Sequence, residues 1–125
     1  RLVATGQVDL IDMSLWDVER RSDEEGFEGR TLTEIFAELP RGDVRLGVAG
    51  KIHDPADVQR MLDQGVDIAV LGRVAILHHD YPQRLADAAF VPRRPPATPE
   101  VLASEGVSPS FVHYLATTFK GFVTV

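Results

Sequence analysis

The chain has 125 residues, of which 44% are hydrophobic and 26% charged, a globular composition sufficient for the core of one domain. Its formal charge of −6 argues against partners such as nucleic acid or an anionic membrane, and no apolar run approaches the ~20 residues that cross a bilayer. The chain has no cysteine, which excludes disulfides and thiolate chemistry, and we expect a cytoplasmic protein.

The first part of the chain alternates between strand and helix patterns. A short apolar run over 8–13 predicts a strand buried on both faces. The charged, aperiodic stretch 16–30 predicts a loop, which could shape a substrate entrance or simply be a solvated connector. Thr31 and Glu34 then match a capping box, which predicts a helix that ends at Pro40.

A second strand and helix follow, and then a third strand. Residues 44–49 predict a strand that ends at Gly50. Asp54, followed by a proline, predicts the start of a helix that closes at Gly65. Residues 66–71 predict the third strand.

The remainder of the chain is predicted to be helical around one linker. A turn over 74–77 and a short helix over 82–89 lead into an extended, proline-rich linker at 92–96. Thr98 and Ser108, each followed by a proline, predict the caps of two further helices. The last helix is predicted to bury Phe111, Val112, Leu115 and, at its end, Phe119.

Alternating strands and helices predict an α/β fold with a parallel sheet and right-handed crossovers. A closed (β/α)8 TIM barrel takes about 250 residues, so we expect only its C-terminal part, with about three strands. We treat 1–125 as a single unit, with the last βα units in 1–92 and a C-terminal helical extension in 93–125. The chain starts without a methionine or a signal-peptide pattern, and we expect it to begin within a longer protein.

The candidate binding residues follow the second and third strands, because parallel sheets bind ligands at the carboxyl ends of their strands. They are Gly50 and Lys51 after the second strand, and Leu71, Gly72 and Arg73 after the third. Glycine lets backbone amides approach an anion closely, and arginine matches the geometry of phosphate. Alternatively, both glycines serve tight turns only, Arg73 pairs with a carboxylate, and Lys51 faces solvent.

Two segments carry a resemblance to a known family. Residues 48–55 (Val-Ala-Gly-Lys-Ile-His-Asp-Pro) and 65–73 (Gly-Val-Asp-Ile-Ala-Val-Leu-Gly-Arg) resemble the closing segment of the Old Yellow Enzyme family of FMN-dependent NADH:flavin oxidoreductases and ene-reductases. Residues 8–14 look like that family's sixth strand. The resemblance implies that the amides around Gly50, Gly72 and Arg73, together with the Arg73 guanidinium, hold the FMN phosphate.

The same resemblance implies what this chain does not carry. The parent enzyme would reduce FMN with NADH or NADPH and pass hydride to a small-molecule substrate such as an activated alkene. The family's substrate-anchoring pair and proton-donating tyrosine lie in earlier strands, so we assign no catalytic residue here and expect the chain alone to be inactive. Neither the pair His78-His79 nor His53 and His113 match those positions, and we predict no metal site.

The expected partner is the missing N-terminal half of the barrel or a second copy of the chain, because a half-barrel leaves open strand edges. Two other functions stay open from the sequence. One is a different phosphate-binding TIM-barrel enzyme, a lyase or isomerase, and the other is a half-barrel that serves as a non-catalytic assembly module.

Overall fold

The strand patterns of the first 72 residues form one three-stranded parallel sheet. In the computed structural model, which describes residues 2–124, β1 (Leu10–Ser14), β2 (Arg45–Ala49) and β3 (Ile68–Val70) lie in the order β1-β2-β3. Ser14 pairs with Ala49, and Ala49 in turn pairs with Val70. The three predicted strands are confirmed, each beginning one or two residues later than expected.

Two helices connect these strands, and their predicted caps are present. In α1 (Leu32–Ala37), the Thr31 hydroxyl accepts a hydrogen bond from the Glu34 amide at 3.1 Å. The Glu34 carboxylate accepts one from the Thr31 amide at 2.7 Å, so the capping box is confirmed. The helix α2 (Pro55–Asp63) begins with the predicted proline. The bonds of the capping box set where α1 starts, and the fixed φ of Pro55 favours the start of α2.

Both helices pack on the same face of the sheet. That face carries the core of the first unit, whose buried residues are Met13, Val18, Leu46, Val48, Ile52, Met61 and Val66, with Phe36 of α1 and Val58 of α2 packed against them. On the opposite face Leu10, Ile68 and Val70 are 47%, 45% and 39% exposed. Sequential strand order with helices on one face is the arrangement of a barrel wall, whereas a doubly wound sheet reverses order and carries helices on both faces. The α/β sheet is therefore compatible with a partial barrel.

The chain divides into two compact units, 1–72 and 73–125, and the second is helical. It contains α3 (Arg73–Leu77), α4 (Tyr81–Arg84), α5 (Pro99–Ser104) and α6 (Pro109–Thr118). Its core is formed by Leu77, Ala97, Leu102, Leu115, Phe122 and Val123. The predicted caps at Thr98 and Ser108 are confirmed, since each side chain accepts a hydrogen bond from the amide three residues later. The boundary between the two units, at 72/73, precedes the predicted start of the helical extension at residue 93.

Three local expectations were wrong. The predicted turn at 74–77 lies in helix α3, because Val74 and Leu77 recur at helical spacing and both are buried. The predicted helix over 82–89 is limited to α4. Phe111 and Phe119 are 41% and 39% exposed rather than buried.

The aromatic side chains of α6 instead pack on one another at the surface. The Phe111 ring stacks on Tyr114 with 5.8 Å between centroids, while Phe119 lies beyond the end of the helix.

Within residues 2–124, no helix combines the length and apolarity that a membrane span requires.

Candidate functional site

Gly50 directly follows β2, and the loop that follows β1 packs against it at the edge of the sheet. A β-carbon on Gly50 would lie 2.6 Å from the carbonyl oxygen of Leu15 and 3.2 Å from the amide nitrogen of Asp17. The Leu15 amide donates to the Ala49 carbonyl at 2.8 Å, and the Val18 amide donates to the Gly50 carbonyl at 3.2 Å. Gly50 also has φ +150°, so glycine is required here by the close packing of the chain on itself.

Lys51 follows in an unusual backbone conformation. Its φ is +53°, which places a non-glycine residue in the left-handed region. Its ammonium nitrogen lies 2.8 Å from Oδ2 of Asp17, while Oδ1 of Asp17 accepts a hydrogen bond from the Glu19 amide at 3.0 Å. The bond from Lys51, and then that from Glu19, lower the pKa of Asp17. Lys51 is thus an exposed lysine with a defined partner.

The two residues after β3 differ in what they offer. Leu71 packs its partly buried, apolar side chain against the core of the first unit, so the polar groups that it offers a ligand are those of its backbone. Among residues 2–124, no atom outside Gly72 and its two chain neighbours lies within 4 Å of where a β-carbon on Gly72 would lie. The two glycines are therefore unlike: space beside Gly50 is filled by the chain, and space beside Gly72 is open.

Backbone donors at this edge are unused. The amides of Lys51, Ile52 and Gly72 donate no hydrogen bond to any of residues 2–124. Ala49 pairs with Val70, so the turns after β2 and β3 leave the sheet at the same edge. Unpaired amides gathered at one edge are the groups that an anion accepts hydrogen bonds from.

Arg73 is the first residue of α3 and has an exposed side chain. It takes part in none of the ion pairs found among the described residues. The alternative in which Arg73 serves a carboxylate thus finds no support within that part of the chain. Its predicted role toward a phosphate stays a prediction.

The loop over 16–30 is confirmed and is folded back on itself. The Ser22 amide donates to the Arg30 carbonyl at 2.7 Å, and the Gly29 amide donates to the Ser22 carbonyl at 3.0 Å. The backbones of Arg21 and Thr31 form an isolated antiparallel β-bridge. Trp16 precedes this closed segment and is 82% exposed. The loop therefore presents its tryptophan to solvent beside the Asp17–Lys51 pair.

A second cluster of charged side chains lies in the helical unit, and sequence reasoning missed it. The Arg93 guanidinium donates to the Leu77 carbonyl at 2.8 Å and to the Glu105 carboxylate at 3.0 Å. Glu105 also accepts bonds from Nδ1 and the backbone amide of His79, at 2.8 Å and 3.1 Å. Burial would raise the pKa of Glu105, but the bonds from His79 and Arg93 hold that pKa at about 2. No local pattern joins Arg93 to Glu105, so only the folded chain reveals the pair.

Three potential ligand atoms of His78, Asp80 and Glu105 lie within 4.8 Å of one another, which invites a test of metal binding. Nε2 of His78 already accepts the Arg93 amide at 2.7 Å. Burial, and then the charge of Arg93, lower the pKa of His78 and favour its neutral form. A neutral ring that accepts at Nε2 carries its proton on Nδ1 and has no free lone pair for a cation. The Arg84 guanidinium lies 2.8 Å from the Asp80 carboxylate, and Arg93 pairs with Glu105. Both carboxylates of the cluster are therefore already paired with arginines of the chain.

Comparisons with protein-family models, with curated proteins and with solved structures find no match to this chain.

Proposed function

We propose that this chain is the C-terminal portion of an FMN-dependent barrel oxidoreductase, in which it binds the phosphate of FMN. One observation carries the proposal. A parallel sheet covered by helices on a single face ends, at β2 and β3, in adjacent turns in which the amides of Lys51, Ile52 and Gly72 donate to none of residues 2–124. In (β/α)8 barrels, the loops after the last two strands are a frequent phosphate site, and the order of the strands supports that assignment.

The residues at this edge fit a phosphate group. The amides of Lys51, Ile52 and Gly72 are available donors, and the open space beside Gly72 lets an oxygen approach the backbone. The Lys51 ammonium and, next in sequence to Gly72, the Arg73 guanidinium would supply positive charge in a chain that is otherwise acidic. The bound flavin would supply the hydride chemistry.

In this proposal, the residues of the chain bind and orient the phosphate. Gly50 holds the turn in place, because the backbone of 15–18 packs directly on it. Leu71 anchors the second turn through its partly buried side chain, which packs against the core of the first unit. A fixed pair of turns would hold the phosphate without further ordering of the backbone, which favours retention of the cofactor.

The test uses the complete protein encoded by the reading frame. We expect flavin absorbance after purification, or after FMN is added and excess is removed. Arg73→Ala should raise the Kd for FMN roughly 10- to 100-fold, as expected for the loss of a charged hydrogen-bond donor. Lys120→Ala, which removes an exposed positive charge from the second unit, is the matched control and should leave the Kd unchanged.

Each other result assigns a different function. Full flavin occupancy in Arg73→Ala would remove Arg73 from the site. A complete protein that never takes up FMN but binds a sugar phosphate would favour a lyase or isomerase. A reading frame that encodes only these residues would favour an assembly module.

The open edges of the sheet support the expected partner. β1 and β3 each pair only with β2 among the described residues, so both outer edges are open. In the proposed enzyme, the N-terminal half of the barrel covers these edges, and a second copy is the alternative for the isolated chain. A native mass measurement of the chain, alone and mixed with the N-terminal half, distinguishes the two.

A further inference from the structure

The Asp17–Lys51 ion pair joins the loop after β1 to the turn after β2, which is one of the two turns of the proposed phosphate site. Lys51 follows Gly50 at the end of β2, and Asp17 belongs to the loop that packs on Gly50. Among the residues described, Lys51 carries the only ammonium at this edge of the first unit, and the Asp17 carboxylate lies 2.8 Å from it. A phosphate that uses Lys51 therefore meets a negative charge already in place.

The backbone conformation of Lys51 is one that the surrounding structure has to hold in place. At φ +53° glycine is favoured over a residue with a long side chain. Strained backbone of this kind concentrates at ligand sites, where the surrounding structure holds it. The loop contacts of Gly50 supply that support.

Exchange of Asp17 for a phosphate would need little rearrangement. The side chains of Lys51 and Asp17 are 47% and 31% exposed, so water can solvate the released carboxylate. Asp17 would keep the bond from the Glu19 amide, and the loop would keep the bonds from the Leu15 and Val18 amides.

We propose that Asp17 is an internal competitor for Lys51, which weakens the hold of this site on phosphate and is displaced when a phosphate ester binds. The inference rests on the proposed function, because it takes the turns after β2 and β3 as the phosphate site. It makes Lys51 a phosphate ligand and Asp17 the residue that sets the affinity.

Asp17→Asn tests this directly, with Asp23→Asn as the matched control. Asp23 is an exposed aspartate of the same loop, so both variants change the net charge equally and only one touches Lys51. The probe is methyl phosphate at about pH 7.5, where a phosphate ester is mostly a dianion. Binding to the complete protein encoded by the reading frame, freed of any bound flavin, is followed through the NMR shifts of the Lys51, Ile52 and Gly72 amides.

We expect Asp17→Asn to bind methyl phosphate about 1.5- to 5-fold more tightly than the wild type, the range for an exposed ion pair. Asp23→Asn should match the wild type. The double variant Asp17→Asn/Lys51→Gln should lose the gain. Methyl sulfate, a monoanion of similar shape, should gain less from Asp17→Asn because relief of repulsion scales with the charge of the ligand.

The contrary outcomes are separable. Equal or weaker binding in Asp17→Asn than in Asp23→Asn overturns the competition, although shifts at the three amides would leave the phosphate site standing. A gain that survives Lys51→Gln also overturns it, because the gain would not act through Lys51. No shift in either the wild type or Asp17→Asn removes the proposed phosphate site and this inference together.

Discussion

The buried carboxylate of Glu105 makes the stability of the helical unit dependent on pH. Its side chain is only 6% exposed, yet it is ionised because His79 and Arg93 donate to it. Burial alone would raise the pKa of Glu105, and these bonds instead lower it from 4.5 to about 2. Since one pKa unit corresponds to about 1.4 kcal/mol, ionised Glu105 stabilises the fold by about 3 kcal/mol.

The sign of the effect follows from the lowered pKa. The unfolded chain binds a proton at Glu105 at a higher pH than the folded chain does. The stabilisation is therefore fully present above about pH 5 and is lost as the pH falls toward about 2. Glu105→Gln removes this dependence, and near pH 7 it should lower the free energy of unfolding by about 2–3 kcal/mol.

Urea unfolding of the wild type and Glu105→Gln between about pH 7 and 2 measures the difference. Near-UV circular dichroism of tyrosine reports on the helical unit, because both tyrosines of the chain, Tyr81 and Tyr114, lie in it. Glu24→Gln, at an exposed position in the loop of the first unit, controls for the change in net charge. Parallel loss of stability in the wild type and Glu105→Gln across this range would refute the reasoning.

Two further variants test the first unit. Gly50→Ala should destabilise by about 1–3 kcal/mol, because its β-carbon would meet the Leu15 carbonyl at 2.6 Å, and a change of less than about 0.5 kcal/mol in urea unfolding would contradict that contact. Asp67→Asn should lower the urea midpoint at neutral pH, since the Leu46 amide and then Arg45 hold the pKa of Asp67 low. The two midpoints should converge as Asp67 is protonated in acid, and a constant gap down to about pH 2 would exclude this role.

The sequence alone determined the local structure well. Thr31 and Glu34 set the start of α1, and Thr98 and Ser108 set those of α5 and α6, because a cap depends only on residues within one helical turn. The strands were recognised for a similar reason, since short apolar runs between glycines need no distant partner to be identified. The Val74–Leu77 segment failed because four residues suit both a turn and a helix.

The positions of the candidate site residues also came from the sequence, since Gly50, Gly72 and Arg73 follow strands that it identified. The contacts that surround these residues could not be predicted from the sequence. The Lys51–Asp17 pair joins residues 34 apart, and the contact that requires glycine at position 50 comes from the loop after β1. Only the tertiary structure decides such contacts, because they depend on how strands align in the sheet, whereas the local pattern reaches no further than a helical turn.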